Sequence, residues 1–162
     1  MKTHKLFITI MVFLLATGAG SASAIDICEG GIIEGGTFES VTLVGQSCIL
    51  TNVRVLGDVT VLNAGTFWLQ NSDVEGKIRV EGSGSVDLQD VQARNILVRG
   101  NETVQIGAFV TAARFIRVIG NNVVLVVANA APIINCRDNI RTVGLKNRSG
   151  GGNNCDVLGL DP

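Results

Sequence analysis

Asp73, Asp87 and Asp90 are the acidic residues of this chain whose proximity would suit acid–base chemistry. Beyond residue 24 the sequence contains no histidine and no tyrosine, so proton transfer would fall to carboxylates, lysine or arginine. Nothing near these three aspartates provides the long loops that wall off a catalytic cleft. We therefore predict no catalytic residues and no enzymatic activity.

A second polar set, Asn52, Asn71 and Asp90, recurs every 19 residues. Each member directly follows a short apolar segment and a polar residue, as in Thr51-Asn52 and Gln70-Asn71. If these segments stack in register, the three side chains form a corner amide ladder. Such a ladder satisfies neighbouring turns or binds a sugar or a metal ion, and we expect the structural role.

A third set is basic and comprises Arg79, Arg99 and Arg117. The spacing predicts that these side chains share one outward face, where they would present a cationic strip to an anionic polysaccharide. Glu81 dilutes that charge, and we expect a solvated surface of mixed charge as the commoner outcome.

The single tryptophan, Trp68, falls 19 residues after Ile49. Both occupy the middle of an apolar-x-apolar triplet, so both should point away from the core. Exposed apolar patches often mark contact sites, and a sugar-stacking platform or a protein contact would use this pair. The alternative is that the glycine-rich N-terminal segment covers Trp68.

The four cysteines fall into two pairs, because Cys28 precedes Cys48 by 20 residues and Cys136 precedes Cys155 by 19. Equivalent positions of stacked parallel strands lie about 4.8 Å apart, within the window of about 4.4 to 6.8 Å between Cα atoms that a disulfide tolerates. We predict these two bridges, each joining a terminal coil to its neighbour. A zinc site is disfavoured, since there is no CxxC and no histidine beyond residue 24, and we expect no metal or cofactor.

Two series of short alternating strands must position these residues. The first series, residues 59–61, 78–80, 96–98 and 116–118, advances by 19, 18 and 20 residues. The second series, residues 67–69, 86–88, 104–106 and 124–126, advances by the same amounts at the same steps. Strands that shift together in this way are typical of stacked solenoid coils.

A third, shorter wall is predicted at Val55, Val74 and either Val91 or Ala93. Three walls with 18 to 20 residues per coil describe an all-β, single-domain parallel β-helix of about six coils, capped by disulfides at both ends. Several valines also recur every six residues, which is the spacing of left-handed hexapeptide helices. The hexads do not continue, so we favour a right-handed helix.

This periodicity over residues 36–143 resembles that of the exported bacterial right-handed parallel β-helix repeat proteins, which share the pectate-lyase-like architecture. In coil size it is also similar to bactofilins. The resemblance implies the architecture rather than an activity. It brings two alternatives, a polymer-forming envelope protein or a small polysaccharide lyase.

The first 24 residues have the pattern of a signal peptide: Lys2 and Lys5 precede an apolar run, and small residues end the segment at Ala24. We expect cleavage after Ala24 and a β-helix domain over residues 25–162. Within it, residues 25–40 form an N-terminal cap, residues 41–143 the coils, and residues 144–162 a glycine-rich loop and C-terminal cap.

Without Lys2 and Lys5, 11 basic residues face 14 acidic ones, a net charge of −3. This balance argues against nonspecific nucleic-acid binding. No later apolar run reaches the ~18 residues of a membrane span. The sequence thus predicts a secreted or periplasmic, monomeric, non-enzymatic structural or binding module, with polysaccharide or another envelope protein as its partner. Two glycosylation sequons begin at Asn101 and Asn147.

Overall fold

The computed structural model describes Cys28, residues 31–145 and residues 147–155, and the regular structure in these ranges consists entirely of strands. The strands are β1 (Ile32–Glu34), β2 (Thr37–Phe38), β3 (Val41–Val44), β4 (Cys48–Thr51), β5 (Arg54–Val55), β6 (Val59–Leu62), β7 (Thr66–Glu81), β8 (Ser85–Arg99), β9 (Thr103–Ile106), β10 (Thr111–Ile119), β11 (Val123–Val127), β12 (Ala130–Arg137), β13 (Arg141–Leu145) and β14 (Arg148–Asn153).

The strands stack in parallel as a β-solenoid of about six turns, which confirms the predicted fold class. The first wall contains β3 and β6, and the second wall contains β4, β9, β11 and β13. The long strands β7 and β8 run through the second, third and first walls in succession. Each coil therefore lies one rung above the previous coil, with like positions directly aligned.

The core is a set of apolar columns, because alternate side chains of every wall point inward. On the first wall Ile78 aligns with Ile96 and then with Ile116, and all three are fully buried. Burial contributes about 1.5–3 kcal/mol for each such side chain, and β-branched residues suit the pleated wall. The third-wall column changes from Val55 and Val74 to alanine at residues 93, 112 and 131. Ala93 thus belongs to this column, and the wall becomes thin in the second half of the solenoid.

Two corners of each coil turn at a residue with positive φ. At the corner between the first and second walls, Gly82, Gly100 and Gly120 have φ of 67°, 64° and 64°. A Cβ at Gly82 would also lie 2.4 Å from the Asn63 side-chain oxygen. Glycine is therefore favoured here by both backbone conformation and space.

Both ends of the described range continue the same columns. Strand β1 pairs with β4 in register and β2 pairs with β5, so residues 31–38 add a rung where a separate cap was expected. At the other end, the expected glycine-rich loop differs from the structure, because β13 pairs with β11 and β14 pairs with β12. Hydrogen bonding to a preformed rung outweighs the low strand propensity of glycine here. The predicted signal peptide and the cap residues 25–27, 29–30, 146 and 156–162 lie outside the described residues.

The two disulfides join the predicted pairs, Cys28 to Cys48 and Cys136 to Cys155, with Cα–Cα distances of 5.6 and 5.0 Å. Each bridge links neighbouring coils close to one end of the solenoid. In the described part of the chain, no helix has the length and hydrophobicity that a membrane crossing needs. The handedness of the solenoid stays a prediction.

Candidate functional site

The second wall presents Trp68 on its outer face. Ile49 lies on the preceding rung and Ile32 on the rung before that, in exact register with Trp68 along one outward column. Trp68 is 37% exposed and Ile32 is 71% exposed. Residues 31–34 extend the end of the stack, so this segment leaves the indole accessible. The sequence thus correctly placed Ile49 and Trp68 side by side.

Polar side chains surround the indole. Thr66 and Gln70 lie on either side of Trp68 along its own strand, and their partners on the next rung are Ser85 and Gln89. Asp87 is the rung neighbour of Trp68 itself. We call this surface, made of Ile49, Thr66, Trp68, Gln70, Ser85, Asp87 and Gln89, the tryptophan face. An aromatic ring among amide, hydroxyl and carboxylate groups offers one apolar platform and many hydrogen-bonding atoms.

Asp87 is half-buried within this face. Its two carboxylate oxygens accept hydrogen bonds from Gln89 Nε2 at 3.2 and 2.9 Å. Burial raises the pKa of Asp87, because desolvation disfavours the charged form, while the hydrogen bond from Gln89 acts in the opposite direction. The face therefore holds one pre-oriented carboxylate beside the indole.

The three candidate arginines lie on a different wall from Trp68. Arg79 and Arg117 occupy one outward column of the first wall, two rungs apart with Leu97 between them, and Arg99 lies in the adjacent column. Arg79 donates to Glu81 at 2.9 Å, and Arg117 sits 4.5 Å from the centre of the Phe115 ring. The predicted contact residues thus lie on two walls, as the two strand series indicated, and internal contacts occupy part of the expected cationic strip.

The ion pair on the first wall shifts the ionisation of both partners. The hydrogen bond from Arg79 lowers the pKa of Glu81, and the attraction of the nearby positive charges adds to that effect. The same hydrogen bond raises the pKa of Arg79. Such an exposed pair contributes little to folding, but it reduces the charge that Arg79 can offer to an anionic ligand.

Asn52, Asn71 and Asp90 form a column at the corner between the second and third walls. All three have positive φ, of 57°, 47° and 50°, and all three side chains are exposed. Asparagine and aspartate tolerate this left-handed conformation better than most residues. Within the described residues these side chains make no hydrogen bond, so they provide the turn through their backbone conformation and leave their polar atoms available.

A groove runs beside this corner column, between it and the outward column of the third wall. In the first half of the solenoid the groove has a volume of about 580 Å³ and includes Asn52, Asn71 and Asp90 among its lining residues. Asp73 and Gln92 line its opposite side. Asp73 and Asp90 thus share the groove, whereas Asp87 lies around the corner on the tryptophan face. No group of three or more histidine, cysteine or acidic residues suited to a metal occurs in the described ranges.

A buried asparagine ladder, which was not predicted from the sequence, lies at the corner between the first and second walls. Asn121 Oδ1 accepts from the backbone nitrogen and from Nδ2 of Asn101, both at 2.9 Å. Asn139 Oδ1 accepts in the same way from Asn121 at 2.8 and 2.9 Å. The signal was available, because asparagine follows the positive-φ residue at Gly100-Asn101, Gly120-Asn121 and Asp138-Asn139, one coil apart.

Side-chain hydrogen bonds to neighbouring coils decide the state of both sequons. Asn101 is only 2% exposed, and its Nδ2 is engaged by Asn121 and by the Val80 carbonyl oxygen. Asn147 Nδ2 donates to the Val126 carbonyl oxygen at 3.0 Å. Neither amide nitrogen is therefore presented as an acceptor for a glycan in the folded chain.

A comparison with models of known protein families, a search of curated proteins and a search of solved structures each found no match. The candidate surfaces are therefore interpreted from their geometry and chemistry alone.

Proposed function

We propose that this protein is a non-catalytic binding module that contacts polysaccharide through the tryptophan face. The observation that carries the proposal is the exposed indole of Trp68, held on a flat parallel wall with amide, hydroxyl and carboxylate groups on the adjoining positions. Ligand sites typically combine aromatic surface with a few placed polar groups. Sugar rings, which have apolar faces and hydroxylated edges, match this combination.

The rigidity of the wall supports this role. Trp68 lies on β7, which pairs with β4 on one side and β8 on the other. Leu69, the residue beside it, is completely buried in the core. A site on a stacked sheet loses little conformational freedom on binding, which favours affinity.

Charge favours a neutral or basic glycan over an acidic one. Residues 31–90, which include the tryptophan face, contain eight acidic and three basic residues, whereas residues 91–155 contain two acidic and eight basic residues. The carboxylate of Asp87 next to Trp68 would repel uronate or sulfate groups. The second wall is therefore the preferred glycan contact, in place of the first-wall arginine strip.

The two disulfides support export, because disulfides persist in oxidising compartments. We accordingly place the protein outside the cytoplasm, where polysaccharide is accessible. The same covalent links strengthen both ends of a short solenoid. A small rigid module of this kind suits binding or scaffolding at a cell envelope.

A glycan array with the purified, disulfide-bonded protein tests the proposal. We expect retention on neutral or amino-sugar glycans and a loss of at least tenfold in affinity for Trp68→Ala. Two variants serve as controls: Phe109→Ala removes an aromatic side chain that is 71% exposed elsewhere, and Arg79→Ala removes a first-wall arginine. Both should bind like the wild type.

Two results would contradict the proposal. One is the absence of retention on any glycan. The other is unchanged glycan binding by Trp68→Ala. If Arg79→Ala then loses glycan binding, the contact lies on the first wall.

A further inference from the structure

The groove beside the corner between the second and third walls changes character halfway along the solenoid. In the first coils the two columns that border it contain Asn52, Asn71 and Asp90 on one side and Arg54, Asp73 and Gln92 on the other. In later coils the same two columns contain Phe109 and Ala128 facing Thr111 and Ala130. Asp90 is followed by Phe109, and Gln92 is followed by Thr111, on the next rung. The polar and apolar parts therefore lie end to end along the same two columns.

The apolar part is a real depression in the surface. It has a volume of about 700 Å³, and Arg148 lies at its far end. Phe109 is 71% exposed although it is the largest apolar side chain of the corner column. A lone exposed phenylalanine gains by burial against an apolar ligand, at about 25 cal/mol for each Å² covered.

The polar part offers hydrogen-bonding atoms that the protein does not use itself. Asn52 and Asn71 are exposed, and each side-chain amide has both donor and acceptor atoms. Asp73 and Asp90 add carboxylates, whereas Arg54 is engaged with Glu75 at 2.8 Å. This end of the groove therefore favours an uncharged or cationic, hydroxylated group over an anion.

We propose that this groove binds a single-chain amphiphile, with its hydroxylated head group against Asn71, Asp73 and Asp90 and its acyl or alkyl chain against Phe109, Thr111 and Ala130. The stacking distance of about 4.8 Å per rung gives the apolar part a length of about 10 Å over two steps, enough for a medium-length chain. The site is separate from the tryptophan face, since it occupies a different side of the solenoid. The inference therefore goes beyond the proposed glycan contact.

Titration calorimetry with n-dodecyl β-D-maltoside below its critical micelle concentration tests this inference. We expect saturable binding at one site, with maltose alone binding at least tenfold more weakly because it lacks the chain. Dodecyl sulfate, which has the same chain with an anionic head, should also bind more weakly. Tighter binding of dodecanoate than of the maltoside would overturn the inference, since it would place the head group at Arg148.

Matched variants locate the site. Thr111→Arg places a charged side chain in the apolar part, in a column where Arg54 already shows that the wall accepts arginine. Thr60→Arg makes the same substitution on the outward face of the first wall and serves as the control. We expect Thr111→Arg and Phe109→Ser to weaken maltoside binding at least tenfold and Thr60→Arg to leave it unchanged. Far-ultraviolet circular dichroism establishes that each variant is folded.

Sedimentation equilibrium distinguishes the other possible occupant, a second copy of this chain. A dimer that dissociates on Phe109→Ser, together with no maltoside binding, would overturn the amphiphile site. Equal maltoside binding by Thr111→Arg and Thr60→Arg would do the same. Because Phe109→Ser leaves Trp68 intact, glycan retention by this variant separates failure of the groove from failure of the proposed function.

Discussion

Truncation of Asn121 to alanine tests whether the buried ladder stabilises the solenoid. The Asn121 side chain is completely buried and sits between Asn101 and Asn139. Its removal leaves the backbone N–H of Asn101 without its partner inside the core. The Asn101 amide retains Val80, and Asn139 still accepts from the Asn121 backbone at 2.8 Å.

The expected loss of stability follows from the hydrogen bonds that the substitution removes. An orphaned buried donor costs about 1–3 kcal/mol, and each additional hydrogen bond that is lost costs about 1 kcal/mol. Asn121→Ala removes three further side-chain bonds, one from Asn101 Nδ2, one to Asn139 Oδ1 and one to the Val98 carbonyl oxygen. We therefore expect the free energy of unfolding to fall by about 4–6 kcal/mol, a large share of the ~5–15 kcal/mol typical of a domain.

Urea unfolding of the oxidised protein, followed by far-ultraviolet circular dichroism, measures this loss. Asn122→Ala is the matched control, because Asn122 is the next residue, is exposed, and contributes backbone hydrogen bonds to Asn101 and Arg141 that the substitution retains. That control should change stability by no more than about 0.5 kcal/mol. Equal losses for Asn121→Ala and Asn122→Ala would refute the ladder as a stabilising element.

Two further predictions concern the ends of the solenoid and the tryptophan face. Replacing Cys136 and Cys155 with serine opens a loop with a sequence separation of 19. The free energy of unfolding should fall by about 3 kcal/mol, because the unfolded chain gains conformational entropy. An unchanged urea midpoint would contradict this prediction. Because the pKa of Asp87 is raised, the folded chain holds the Asp87 proton more tightly than the unfolded chain does. The free energy of unfolding of the wild type therefore falls as pH rises from the unfolded pKa of about 3.9 through the higher folded pKa. In paired urea titrations, the stability of Asp87→Asn relative to the wild type should therefore increase between pH 3 and pH 7. If the difference in unfolding free energy between the two proteins stays constant with pH, that result would count against the burial of Asp87.

The sequence predicted the columns of this protein well. Parallel coils in register bring the same backbone position back at each turn, so the spacing alone aligned Ile49 with Trp68 and Arg79 with Arg117. The same logic paired the cysteines correctly. It also predicted that Asn52, Asn71 and Asp90 share a corner, where their positive φ now provides the physical reason.

The direction of the corner side chains was not predictable from the period. Asn71 adopts the left-handed conformation itself and is exposed, whereas Asn101 directly follows a left-handed glycine and is buried. A shift of one residue across a turn thus separates a surface amide from a core amide. Periodicity identifies which residues align, but it does not reveal on which side of the wall a turn places them.

By itself, the sequence determined the β-solenoid, its coil length and its two disulfides, because these depend on a one-dimensional repeat. Only the tertiary structure decided that residues 148–153 form a strand and that the Asn101 and Asn121 side chains lie in the core. It also revealed the groove, whose two borders come from different parts of each coil. These features depend on the angle between walls and on pairing with the preceding rung, and neither is encoded in the spacing of residues along the chain.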